Sequence, residues 1–172
     1  MESFINTIKK LSQAFGVMAV LLLAAAMLVV CQQVFMRYVL GASTVWQTEF
    51  VTYAIVAATF IGSPYVLLRR GHVNVDLVPL YLPHKARMVL ALVASVAALL
   101  FCLALAWTSY ELWHEAWVGN WRTPTVWALP LWIAYLPMAL GIGLLCLQYI
   151  ADILALVSGR DMPFGLKPGE HP

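Results

Sequence analysis

Four long runs without a single charged residue constrain this chain more than any other feature of its sequence. Built as α-helices, which rise 1.5 Å per residue, the runs would be about 39, 28, 34 and 44 Å long, against roughly 30 Å for the hydrocarbon core of a bilayer. The composition agrees, because only 10% of the 172 residues are charged, whereas soluble domains have about 25%. A water-soluble globule is therefore excluded. The runs are Leu11–Met36, Phe50–Leu68, Met88–Tyr110 and Thr123–Ala151.

The runs predict an all-α membrane protein with a single four-helix transmembrane domain over residues 1–172. Between the second and third helices, residues 72–83 are mostly apolar but contain two prolines, and they are too short to span a bilayer. We expect residues 73–82 to form a short interfacial segment in the headgroup plane, and residues 158–172 to form a flexible tail. The predicted helices cover residues 11–36, 46–68, 88–113 and 126–157.

Small residues predict where these helices pack closely. Ala54, Ala58 and Gly62 recur every four residues in the second helix, so they lie on one helical face. Gly141 and Gly143, with Ala139 just before them, supply small residues in the fourth helix. In lipid such faces allow two backbones to approach, because packing rather than the hydrophobic effect drives association there.

The distribution of positive charge predicts the orientation of the chain. If the N-terminus is cytoplasmic, eight of the ten Lys and Arg residues lie inside, and only Arg37 and Arg122 lie outside. Because basic residues favour cytoplasmic loops, both termini are predicted to be inside. The seven tryptophans then lie at the outer interface or in the outer loop, as an aromatic belt requires. The net charge of +2 is too small to indicate a nucleic-acid partner.

The sequence contains none of the patterns that would indicate an enzyme. It has no H-E-x-x-H, no C-x-x-C and no glycine-rich phosphate loop, and all four histidines lie outside the apolar runs. No run has a carboxylate or a basic residue near its middle, although an ion-coupled pump normally keeps one there. We therefore predict that the chain is not an enzyme, has no metal or other cofactor, and holds no coupling site of its own.

Glu49 is the charged residue that comes nearest to lying within the membrane. It follows Trp46, at the predicted start of the second helix, by three residues. Arg37 ends the first helix at a similar depth, so we predict that Arg37, Trp46 and Glu49 form a structural clamp on the outer hairpin. Two interpretations remain open beside it: the carboxylate stabilises the helix dipole, or it contacts substrate or an external protein. Thr44 and Gln47 are further predicted to form a capping box.

Two clusters are candidate contact surfaces. The basic cluster at the end of the second helix is predicted to bind anionic headgroups or a partner protein. The aromatic and basic residues of the outer loop have the composition of a protein contact patch, although part of the aromatic set belongs to the membrane belt. The first cluster consists of Arg69, Arg70, His72 and Asp76, and the second of Trp117, Trp121 and Arg122.

An ordered set of motifs resembles the small membrane subunit of tripartite ATP-independent periplasmic (TRAP) transporters. The similarity extends from about Met36 to Pro137, and the size and four-helix topology cover the whole chain. Each motif is degenerate, but their order is hard to obtain by chance. The motifs are Arg37-Tyr38 with Gly41, Ser43, Trp46 and Glu49, then Phe60-Ile61-Gly62, then Arg69-Arg70-Gly71-His72-Val73 with Val75-Asp76, then Pro130-Leu131-Trp132 with Tyr135 and Pro137.

The resemblance implies a multi-pass protein of the bacterial inner membrane that pairs with a much larger permease subunit. It implies a sodium-coupled secondary transporter that imports organic acids delivered by a periplasmic binding protein, with the sodium ions held in the large subunit. This chain would stabilise the large subunit as a scaffold, with lipids around it. Trp117, Trp121 and Arg122 then become candidates for touching the binding protein. The alternative is a self-contained, homo-oligomeric small exporter, which would normally carry a mid-helix carboxylate.

Overall fold

The computed structural model describes residues 2–42, 45–69, 83–125 and 127–158. They form four α-helices: α1 (Glu2–Tyr38), α2 (Trp46–Leu68), α3 (His84–Val118) and α4 (Leu131–Val157). Outside the helices, the only β-type pairing in these ranges is an isolated antiparallel bridge between Arg122 and Pro130. The predicted interfacial segment, residues 73–82, and the tail beyond Ser158 lie outside the described residues.

All four helices are long and apolar enough to cross a membrane. Their lengths of 37, 23, 35 and 27 residues correspond to about 55, 34, 52 and 40 Å at 1.5 Å per residue. The prediction of an all-α, multi-pass membrane protein is therefore confirmed. Because α1 and α3 are much longer than the hydrocarbon core, both must tilt or extend past it.

The helix bounds differ from the predicted ones where polar residues continue a helix. α1 begins at Glu2 rather than near residue 11, and its first turns bury Ile5 and Ile8 against Ala151 and Ala155 of α4. α3 is likewise longer than predicted at both ends. α4 begins at Leu131 instead of residue 126, because the preceding Pro130 has an extended backbone. Apolar run length thus predicted the membrane crossing and not the helix length.

The α1–α2 hairpin is antiparallel over most of its length. Ala19 faces Gly62, Gly16 faces the ring of Tyr65, and Gln33 bonds Thr48 nearer the turn. The turn begins after Tyr38, where Gly41 adopts a φ of +63°, the left-handed conformation that glycine adopts without strain. Gly41 therefore follows the end of α1 as a left-handed cap.

The two inner helices of the bundle are α2 and α4. α1 packs mainly on α2, α3 packs on α4, and α2 and α4 pack on each other, whereas α2 and α3 make little direct contact. α1 ends, α2 begins, α3 ends and α4 begins at one end of the bundle, which we call the aromatic end. It holds Trp46, Trp113, Trp117, Trp121, Trp127 and Trp132.

A proline and a glycine explain why α2 and α4 approach so closely. Pro64 lies inside α2 and is fully buried, and it has no N–H to donate to the carbonyl of Phe60. The Ser63 hydroxyl donates to that carbonyl instead, at 2.8 Å. Gly141 of α4 lies against the same place, where a Cβ atom would be 2.2 Å from the Phe60 oxygen. The predicted small-residue contact therefore forms at Gly141, while Gly143 has open space.

Candidate functional site

The structure does not bring the predicted clamp residues together as an ion pair. Arg37 is exposed at the end of α1. Both carboxylate oxygens of Glu49 are buried, and no described residue donates a hydrogen bond to them. Matching depth along two helices does not fix the direction in which each side chain points, and here the directions differ. Glu49 is therefore placed inward without the guanidinium that the sequence suggested.

A different polar contact joins α1 to α2 at the aromatic end. The side-chain amide of Gln33 donates to the hydroxyl of Thr48 at 2.9 Å. The sequence places both residues near the turn, but without an azimuth for either helix their pairing was not predictable. Thr44 of the predicted capping box lies outside the described residues. α2 begins after Val45 without a side-chain cap, and the buried Gln47 oxygen accepts no hydrogen bond from any described residue.

Trp46 connects the start of α2 to the segment between α3 and α4. It is 43% exposed, and its indole meets Trp127 edge-on with ring centroids 6.4 Å apart. A second edge contact joins it to Phe50 within α2 at 6.5 Å. Edge-to-face aromatic pairs of this kind are worth about 0.5–1.5 kcal/mol beyond their buried area. Trp46 therefore fastens the two hairpins at the aromatic end rather than closing an ion pair.

The aromatic side chains of α3 continue this contact network. Trp117 packs edge-on against Trp132 of α4, with centroids 4.7 Å apart, and Trp113 lies 5.9 Å from Trp117. Trp117 was predicted to lie in the outer loop, but it belongs to the last turn of α3. It is nevertheless 53% exposed, so it both fixes the α3–α4 hairpin and presents a surface.

Hydrogen bonds order the connection between α3 and α4. The Thr123 backbone N–H donates to the Leu129 carbonyl at 3.0 Å, and the Leu129 N–H donates back to the Thr123 hydroxyl at 3.0 Å. Leu131 donates to the carbonyl of Trp121 at 2.9 Å. These bonds hold Trp121 and Arg122 in a defined loop in which both are exposed. The predicted contact patch therefore has a fixed backbone and accessible side chains.

The opposite end of the bundle shows one member of the predicted basic cluster. Arg69 is exposed; its guanidinium lies 5.5 Å from the centre of the Tyr65 ring, and its Nε donates to the Tyr65 hydroxyl at 3.0 Å. A cation over an aromatic face is a weak attraction at an exposed site. The other three members, Arg70, His72 and Asp76, lie outside the described residues.

A buried polar chain near this end was not predicted from the sequence. The Ser12 hydroxyl of α1 donates to the side-chain oxygen of Gln148 in α4 at 2.8 Å, and both residues are fully buried. The Gln148 amide in turn donates to Asp152 at 2.8 Å. Polar residues inside otherwise apolar runs are the signal that could have indicated such a contact, since a buried polar group needs a partner.

The described residues contain no constellation suited to catalysis by a metal. No group of three or more His, Cys, Asp or Glu side chains among them is placed to hold an ion. Cys102 and Cys146 are free thiols buried in one apolar cluster with Ile142. Within the described part of the chain, side-chain hydrogen bonds join different helices from Ser12 to Gln148 and from Gln33 to Thr48.

Fold and side-chain arrangement define a multi-pass helical membrane protein whose polar contacts are structural. Residues 26–159 match the family of DctQ components of tripartite ATP-independent periplasmic transporters. The chain belongs to this family and is therefore a small-subunit component of a transporter, not an enzyme. It is also similar to the C4-dicarboxylate TRAP transporter small permease protein DctQ of Vibrio cholerae serotype O1. The two are 24% identical over 178 residues, which cover 91% of this chain and 74% of that relative.

Proposed function

We propose that this chain is the scaffold subunit of a sodium-coupled TRAP transporter and that it acts only when paired with a large permease subunit. The observation that carries the proposal is the absence of any carboxylate or basic residue from the middle of the four apolar runs. A sodium-coupled pathway needs polar or charged groups at that depth. In this proposal the sodium and substrate sites belong to the partner, and no cofactor is bound by this chain.

The proposed substrates are organic acids, delivered by a periplasmic binding protein. The relative from Vibrio cholerae is named as a C4-dicarboxylate transporter component, so a C4-dicarboxylate is the first substrate to test. In this arrangement Trp117, Trp121 and Arg122 face the periplasm and touch the binding protein. Their exposure and the ordered loop that holds two of them support this assignment.

The proposed location is the bacterial inner membrane, with both termini in the cytoplasm. The eight-to-two distribution of basic residues supports this orientation. It places the aromatic end at the periplasmic surface. Arg69, Arg70, His72 and Asp76 then lie on the cytoplasmic side, where they contact anionic headgroups or the permease.

Reconstitution tests this function directly. Proteoliposomes would contain this chain alone, the permease encoded beside it alone, or both, with the binding protein, a labelled C4-dicarboxylate and an inward sodium gradient. We expect uptake only with both subunits present and only with sodium. Uptake by this chain alone would favour the homo-oligomeric exporter, and full uptake by the permease alone would show that no scaffold is required.

A further inference from the structure

The carboxylate of Glu49 is an unsatisfied acceptor in the membrane part of the bundle. Its two oxygens are buried, and no described residue donates a hydrogen bond to either. Transferring a charged carboxylate away from water is costly unless a donor or a positive charge compensates it. The helix dipole contributes only a small stabilisation near the first turn of α2. None of the described residues therefore supplies a hydrogen bond that would compensate this charge.

Helical spacing shows which face of α2 carries Glu49. Tyr53 is four residues further along and Phe60 eleven, so all three lie on one face. Phe60 packs against an apolar cluster that includes Cys102 of α3 and Ile142 of α4. Tyr53 lies within electrostatic range of both Glu49 and Tyr135 of α4. Glu49 consequently lies on the face of α2 that is directed toward α3, on the side where both helices pack on α4.

On that side of the molecule we infer a groove between α2 and α3, with α4 as its floor. α2 and α3 make little direct contact, although each packs on α4. On the α3 wall, Trp113 lies eleven residues beyond Cys102, which puts it on the same helical face. Its indole N–H is also buried without a hydrogen-bond partner among the described residues. Glu49 and Trp113 thus place unsatisfied polar groups on both helices that border this groove.

Charge decides which occupant fits this groove. Lipid acyl chains carry no hydrogen-bond donor, and the water and headgroups at this level do not reach the buried carboxylate oxygens. A membrane helix with a basic side chain supplies both apolar surface for the groove and a donor for the acid. The rest of the Glu49 side chain is only partly buried, so a rotation of that side chain can bring its carboxylate to the groove surface.

We propose that Glu49 is a docking point for the large permease, and that an Arg or Lys side chain from a permease membrane helix in this groove binds its carboxylate. The inference rests on the proposed pairing of the two subunits and identifies the contact within it. Glu49 is then neutralised on assembly, and an isolated subunit carries an unpaired acid.

The first experiment compares Glu49→Gln in the isolated chain and in the complex. In detergent, the isolated variant should unfold at the same denaturant concentration as wild type or higher, because a neutral amide costs less to bury than a carboxylate. In the complex, binding of the permease should weaken at least about thirtyfold, since one member of a buried charge pair is lost. Glu111→Gln and Glu115→Gln remove exposed carboxylates at the same end and should leave binding unchanged.

Two outcomes separate this inference from the proposed function. If the wild-type chain fails to bind the permease, the proposed function itself is wrong. If wild type binds and Glu49→Gln binds equally well, only the docking point is wrong. Destabilisation of the isolated Glu49→Gln chain would show that the acid has a partner within its own subunit, which also overturns the inference.

Charge exchange tests the nature of the partner group. Glu49→Lys should abolish complex formation, and replacing each basic residue of the permease membrane helices in turn by Glu should restore it at one position. Rescue at one position identifies the docking residue. Failure of every exchange, or a loss of binding that follows removal of phosphatidylethanolamine from the vesicles, would overturn the assignment of a basic side chain.

Discussion

Ser12 and Gln148 form the best-shielded polar contact between helices in the described residues. Both are fully buried, and one hydrogen bond of 2.8 Å joins them. When either residue is replaced, water cannot reach the site to take the place of the lost hydrogen-bond partner. Removing one partner therefore lowers the stability mainly through the free-energy cost of leaving the other group buried and unsatisfied.

Replacing Ser12 by Ala should lower the free energy of unfolding by about 1–3 kcal/mol, because the Gln148 oxygen loses its donor. Thr108→Val is the matched control, since the Thr108 hydroxyl bonds only backbone carbonyls of its own helix. Denaturant titration in mixed micelles measures both variants. Equal losses for the two would show that the interhelical bond contributes nothing specific.

The contact between Gln33 and Thr48 should contribute less. It lies at the aromatic end, and its hydrogen bond is exposed, so surrounding headgroups and water can replace it. Thr48→Val should reduce stability by about 0.6 kcal/mol, the average for polar interhelical contacts in membranes. Thr59→Val, which removes a hydroxyl bonded to its own helix, is the control. A loss above that of Ser12→Ala would contradict this ranking.

The sequence predicted polar residues at these depths but not their pairing. Arg37 and Glu49 do not bond each other, and Ser12 finds a partner 136 residues away. Hydropathy reports how deep a residue lies along a helix. Pairing depends on the rotation of each helix about its axis, which is set by packing contacts between distant segments. The sequence singled out Glu49 by its position alone, and the surroundings of its side chain were not predictable.

At the level of helices, one glycine controls the approach of α2 to α4. A Cβ atom at Gly141 would lie 2.2 Å from the carbonyl oxygen of Phe60, which is backbone and cannot move aside without displacing α2. At Gly143 the added atom would meet nothing within 4 Å. The two positions are separated by a single residue and so form a matched pair.

Gly141→Ala should destabilise the bundle by about 1–3 kcal/mol, as expected for overpacking. Gly143→Ala should be neutral or slightly stabilising, since alanine is the better helix former. Denaturant titration of the purified chain in micelles compares the two. Similar behaviour of both variants would mean that α2 and α4 are not packed through this contact. The sequence predicted a small-residue face in this helix, but only the structure separates the glycine in contact from the one that is open.

For the whole molecule, the distribution of basic residues leads to a prediction of topology. With both termini inside, cysteines introduced at Ala42 and Gly119 should react with a membrane-impermeant maleimide added outside, and one at Ser158 should not. The experiment uses a variant in which Cys31, Cys102 and Cys146 are replaced. In permeabilised cells the maleimide should also label the cysteine at position 158, which controls for the reactivity of that thiol. Labelling at Ser158 in intact cells would reverse the orientation.

In the proposed orientation Arg122 faces the periplasm, where we expect the binding protein to dock. Its side chain is exposed, while backbone bonds of its loop, including the bridge to Pro130, do not depend on the guanidinium. A charge at the rim of an interface acts mainly on the association rate and its salt dependence. Assembly with the permease should therefore survive its loss.

We accordingly expect Arg122→Glu to reduce uptake up to about tenfold when the binding protein is limiting, through a slower encounter. Uptake should return to the wild-type rate when the binding protein is saturating, and the two rates should converge as salt screens the charge. Arg69→Glu, at the opposite end of the bundle, should leave the dependence on binding protein unchanged. A loss of uptake that is the same at every binding-protein concentration would contradict this prediction and would assign Arg122 to the assembly of the two membrane subunits. A weakened docking contact can be offset by a higher concentration of binding protein, whereas a defect in assembly cannot.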